Sequence, residues 1–318
     1  MTVAVALLVS AAMAGWLAPR WLDRADLHRR DPRMLIVAWL MSMAGVAFAA
    51  VAGVVLLLIP NHGNVGYFVA ALHHCWDAVR HGSPPSVEAL GGVVGSAVVA
   101  AMAVRLTVIA VRGARKRASR RREHLSVLRL AGRKDNGSPS TLWLAHDEPL
   151  AFSMIGRPGV IVATEGLRRH LSAESVAAVL AHERAHLRGR HHLLVATTDA
   201  LRTALPFVPL FRQAPAAMRE LAELAADVAA VRVHGAAAVH AALTTCVSGQ
   251  APGVALAMAR DAIELRLARL RSAPPAASDL RRAMSCGLAG IAAAAVPLLT
   301  AATLLIVMGV ATCPIAGS

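Results

Sequence analysis

Two imidazoles four residues apart, with a carboxylate beside the first, are the feature of this 318-residue chain most suited to chemistry: His182-Glu183-Arg184-Ala185-His186. Residues at that spacing share one helix face, so both rings can bind one zinc ion while Glu183 acts as general base toward water. A polar helix turn with two exposed histidines would read the same way, so a second element is needed. A catalytic zinc of this kind takes a third protein ligand and keeps one position open. Glu223-Leu224-Ala225-Ala226-Asp227 supplies a carboxylate from farther along the chain. Asp227, one turn on, is placed to accept a hydrogen bond from a ligand imidazole and fix its tautomer. Glu220 is the rival ligand, and Glu223 is preferred because it has the carboxylate four residues after it.

Of the other histidines, His234 or His240 could donate to the oxyanion that such a site develops, although each is more often a solvated or helix-end residue. His191 and His192 would point away from His182 on a continuous helix and are not expected as ligands.

These residues need elements to hold them. Ser172 is an N-cap, Glu174 lies in the first turn, and Val176, Val179, Leu180 and Leu187 keep helical spacing, which predicts one helix from about Ala173 past His191. Before it, Thr141 to Ala145, Leu150 to Met154 and Val160 to Thr164 read as short strands, the last as a sheet edge that an extended substrate could join. After it, Pro206, Pro209 and Pro215 mark a loop or hairpin. Helices are expected over Ala216 to Val233, from Gly235 toward Ser248, and over 253–271.

Hydrophobic residues make up 56 % of the chain and aromatic ones 3 %, an excess of Ala, Val and Leu gathered into runs of bilayer length. Four runs qualify: Val3 to Pro19, Met34 to Ile59, Ala89 to Val111, and Gly287 to Thr312. The first lacks the basic start and small-residue cleavage site of a secretory signal, so it is expected as a retained span. Arg20, Arg24, Arg29, Arg30 and Arg33 follow the first run; Arg112, Arg115, Lys116, Arg117, Arg120, Arg121 and Arg122 follow the third; Arg281 and Arg282 precede the fourth. The stretch 60–88 holds only Arg80. Basic loops stay in the cytoplasm, so 20–33 and 112–286 are expected inside, with the N-terminus, 60–88 and the C-terminal tail outside. The formal charge of +14 is then accounted for by topology and anionic lipid headgroups, and nucleic acid is not an expected partner. Arg105 would snorkel from the third span.

The organisation expected is a four-span α-helical membrane protein with an inserted α+β zincin-like domain: 1–122 with three spans, 123–280 cytoplasmic and catalytic, 281–318 with the fourth span and a short external tail. Cys75 and Cys313 fall outside, where a disulfide between them is chemically allowed. Cys246 and Cys286 fall inside or at the inner boundary. No CxxC occurs, which excludes a zinc knuckle or thioredoxin-like site. His62, His73, His74, Cys75 and His81 make the outer stretch polar rather than a dedicated metal site.

His182 to His186, followed by Glu223 to Asp227 and preceded by Gly156-Arg-Pro-Gly-Val-Ile-Val-Ala-Thr-Glu-Gly-Leu167, resembles the gluzincin membrane peptidases of the BlaR/MecR antirepressor family. It is also similar to their relatives, the HtpX and CAAX-prenyl endopeptidases. The likeness covers about Leu142 to Val233. It implies one zinc ion held by His182, His186 and Glu223, Glu183 as base, Asp227 behind a ligand, and a protein or peptide substrate at the cytoplasmic membrane face. Many relatives have an acidic residue where this chain has His191, and with no penicillin-binding sensor expected after the fourth span, β-lactam sensing is not an expected role. Regulated cleavage of a repressor or signalling protein is the leading expectation. Quality control of membrane proteins, or a non-catalytic scaffold, are the alternatives.

Overall fold

The computed structural model describes residues 2–24, 30–58, 87–135, 140–156, 159–248, 255–272 and 279–312. Helices α1 (Thr2–Asp23), α2 (Pro32–Leu58) and α3 (Val87–Ala131) come first. Strands β1 (Gly132–Asp135), β2 (Ser140–Leu144), β3 (Ala151–Met154) and β4 (Val160–Thr164) follow. Then come α4 (Glu165–His170), α5 (Ala173–Arg188), α6 (His191–Ala204), α7 (Pro209–Ser248), α8 (Ala255–Ser272) and α9 (Asp279–Thr312). The Cys75 and Cys313 pair and the histidines between His62 and His81 lie outside the described residues.

Four helices are long and apolar enough to cross a bilayer: α1, α2, the Val93–Glu123 part of α3 and the Ala283–Val307 part of α9. They pack through small residues. A side chain at Gly45 of α2 would run into the Ala294 backbone of α9, so the two helices approach to backbone contact. The α3 helix continues without a break through the basic run, where Arg121 Nη1 donates to Ile155 O at 3.1 Å. Arg105 donates from Nη2 to Thr203 O at 3.1 Å in the last turn of α6. The proline-marked segment is largely helical: α7 begins at Pro209, as suits a residue with no N–H to offer a first turn, and Pro215 is buried inside it. Leu210, Phe211, Ala214, Met218, Leu221 and Ala225 on this half of α7 share one hydrophobic cluster with α1 and α2.

The sheet runs β1-β2-β4-β3, with β2 and β4 parallel and both outer pairs antiparallel. This corrects the expectation that Val160 to Thr164 is an edge. Its run of apolar residues without polar alternation marks burial on both faces, and Ile161, Val162 and Ala163 are 0 % exposed. The edge strands are β1 and β3, and β3 lies against α5.

Candidate metal centre and catalytic cleft

Helix α5 starts where Ser172 accepts a hydrogen bond from Ser175 N at 3.2 Å, with Glu174 in its first turn. Ala178, Ala181 and Ala185 form its buried stripe, and Ala178 and Ala181 cluster with Ala230 of α7. Residues this small let the two helix axes come close enough for side chains of α5 and α7 to converge beside the contact. His182, Glu183 and His186 lie half-buried on α5, and Glu223 and Asp227 sit one turn apart on α7.

The convergence is tight. His182 Nε2 and His186 Nε2 are 3.1 Å apart, Glu223 Oε2 is 3.5 Å from the first, and Glu223 Oε1 is 3.4 Å from the second. Ligand atoms from these three residues all lie within 4.8 Å of one another, the one such group reported among the described residues. Two imidazole nitrogens and one carboxylate oxygen are the donor set that suits zinc with a position left open. Glu220 lines the neighbouring cleft but stands outside this group. Burial, and then the charge of Asp23, push its carboxyl up.

Behind the three donors is a charged chain. His182 Nδ1 lies 2.9 Å from Asp227 Oδ1. Arg266 on α8 then grips Asp227 with both arms, Nε to Oδ2 at 2.7 Å and Nη2 to Oδ1 at 2.8 Å, while its Nη1 reaches Glu223 Oε2 at 3.3 Å. Burial opposes a charge on His182, but hydrogen bonds to Asp227 and Glu223 outweigh it and raise its pKa to about 9. Burial likewise acts against the ionised forms of Asp227 and Glu223, yet Arg266 and His182 hold the first, and His182 with Arg266 the second, well below the usual carboxylate range. Burial keeps His186 neutral.

Glu183 faces β3. Burial pushes its carboxyl up; the charge on His182 and hydrogen bonds from Ser153 act the other way and leave the rise in place. A cleft of about 920 Å³ opens here, lined by Ser153, Ile155, His186, His192, Asp199 and Glu223 among others. Neither His234 nor His240 lines it.

The sequence reading missed three residues. Arg266 is separated from Asp227 by 39 positions and carries no local signal. Ser153 lies on β3, an edge strand of the sheet, whereas the sequence pattern suggested Val160 to Thr164 as the edge. His191 was missed because the long helix expected through it breaks: α5 ends at Arg188, Gly189 caps it, and Arg190 takes the left-handed conformation with φ 48° and ψ 37°. The chain turns back, and His191 Nδ1 comes within 2.9 Å of His186 Nδ1. Gly189, a common helix stop, was the available signal.

Residues 114–265, just under half of the chain, match the model of peptidase family M48. The matched stretch holds His182, Glu183, His186, Glu223 and Asp227 and is similar to gluzincin metallopeptidases, which generally use zinc. No solved structure matches the chain.

Proposed function

We propose that the chain is a multi-pass membrane zinc endopeptidase that cuts a protein or peptide at the cytoplasmic membrane face. The observation that carries this reading is the convergence of His182, His186 and Glu223 beside Glu183, within a stretch that matches a metallopeptidase family. Membrane residence is supported by the exposed apolar surface of the long helices, including Val94, Val98 and Val104 on α3 and Leu288, Ile291 and Leu299 on α9. An apolar surface of that extent needs lipid around it. The arginine-rich ends of these helices favour 123–280 on the cytoplasmic side as the catalytic domain, between three spans in 1–122 and a fourth in 281–318.

In this reading His182, His186 and Glu223 hold one zinc ion, which when bound supplies Lewis acidity for the scissile carbonyl and for water. Glu183 takes a proton from the water that adds to that carbonyl and delivers it to the departing amine as the C–N bond breaks. Its raised pKa suits a base that must also return the proton. Asp227 orients His182, and Arg266 secures Asp227. The free edge of β3 offers backbone groups for an extended peptide beside Glu183. The layout of spans around the domain favours the antirepressor-like reading, regulated cleavage of a repressor or signalling protein.

Mapping new protein N-termini in cells that carry the wild type or Glu183→Gln tests the reading. Cleavages that vanish in a Glu183→Gln protein still loaded with zinc are the expected result. Unchanged cleavage in that variant defeats the assignment of Glu183 and favours a scaffold.

A further inference from the structure

We propose that His191 is a positioning residue for the metal centre, accepting a hydrogen bond from His186 and so fixing the tautomer and direction of that ring. The proposal rests on the reading of His182, His186 and Glu223 as a zinc set. It adds a neutral support for His186 to the anionic support that Asp227 gives His182.

The geometry determines which nitrogen donates. His186 Nε2 faces His182 Nε2 at 3.1 Å and Glu223 Oε1 at 3.4 Å, so it is the nitrogen turned toward the donor set and must be bare to hold a metal. The ring proton then sits on Nδ1, whose neighbour at 2.9 Å is His191 Nδ1. Two bare nitrogens at that distance would repel, and two N–H groups would collide. His191 therefore presents a bare Nδ1 and carries its own proton on Nε2.

The turn between α5 and α6 is shaped around this contact. His191 is 8 % exposed although it is the first residue of its helix. Arg190, a residue with a Cβ, occupies the left-handed region at φ 48°, which only glycine enters freely. That conformation returns His191 over the last turn of α5. A Cβ at Gly189 would overlap His191 Nε2 and Cδ2, so a glycine here leaves room for the ring. Backbone strain, a missing side chain and a buried imidazole all serve one ring-to-ring contact, as expected of strain stored at a functional site.

The test uses the full-length protein in detergent micelles. Zinc dissociation constants are measured by competition with a chromophoric chelator, beside thermal unfolding of the metal-free forms. His191→Phe keeps a ring of similar size and removes the acceptor, and it should bind zinc about 10- to 100-fold more weakly while the metal-free protein melts as before. His191→Asn places Oδ1 as many bonds from the backbone as Nδ1 and should recover most of that loss. Gly189→Ala suits its helical φ of −74° but displaces the His191 ring, so it should weaken zinc binding as well and decides the matter if His191→Phe does not fold. Wild-type affinity in the first and third variants, or an equal loss in His191→Phe and His191→Asn, overturns the proposal. A wild type that binds no zinc overturns the metal-centre reading and this inference with it.

Discussion

Asp227→Asn keeps the shape of a side chain that is 5 % exposed while deleting the charge that His182 and Arg266 share. In the metal-free protein His182 is held up to about 9, against about 6.5 for an ordinary histidine. At about 1.4 kcal/mol per pH unit, the gap favours the charged ring by roughly 3 kcal/mol. The sign follows directly. This contribution to stability is fully present below about 6.5 and is lost as pH rises through about 9. Metal uptake runs the opposite way, because zinc must displace that proton, so wild-type affinity should rise close to tenfold from pH 7 to 8 and then flatten as pH reaches about 9, about 50-fold in all. Asp227→Asn removes the first of the two carboxylates that hold the proton, leaving only Glu223 to oppose burial, so its affinity should change much less over the same range. At pH 9, where the proton competes only about twofold, the variant should bind zinc about 10- to 100-fold more weakly than wild type, and the difference should narrow toward pH 7. Competition against a chelator at pH 7, 8 and 9 reads this, with circular dichroism to confirm folding. Equal pH slopes in the two proteins would refute the role given to Asp227.

Glu223→Gln should empty the site on dialysis against a weak chelator, whereas Glu220→Gln should leave metal content nearly unchanged; the reverse pattern would exchange the two assignments. Arg266→Met leaves the Asp227 carboxylate buried with only His182 as partner. Losing one side of such a pair costs about 3–5 kcal/mol, read as faster hydrogen exchange across α8, while Arg266→Lys should recover part of it through a single bond. A methionine variant within about 1 kcal/mol of wild type would show that solvent reaches Asp227. Cys246 should resist a membrane-impermeant thiol reagent in intact cells and react after permeabilisation; labelling from outside would place 123–280 on the other face of the membrane.

The elements most legible in the sequence are those whose signal is local. Ser172, the alanines of α5 and the spacing of Val176, Val179 and Leu180 gave the start of the helix and the face that carries the two histidines, because capping and periodicity act over one or two turns. Gly235 likewise divides α7, at φ 77°. The end of α5 is marked in the sequence only by Gly189: Leu187 and Leu194 continue an apolar rhythm across a left-handed residue that is an arginine, a type rarely found in that conformation. The order of the strands was equally hidden, since a run such as Val160 to Thr164 shows that it is buried but not which neighbours bury it.

The same distinction applies inside the site. His182 to His186 and Glu223 to Asp227 were readable because each motif fits within one helical turn, and helix geometry alone sets its members side by side. Their support was not readable, because it is a matter of charge balance rather than pattern. Among the described residues, His182 and Arg266 are the groups whose positive charge acts on Glu223 and Asp227, while burial pushes the neighbouring Glu183 carboxyl up. Buried anions need such partners. A single arginine on α8 meets that need for two of them at once, and its register on α8 has no counterpart near the zinc motif. A divalent cation held by His182, His186 and Glu223 would add positive charge beside these carboxyls and displace the proton from His182.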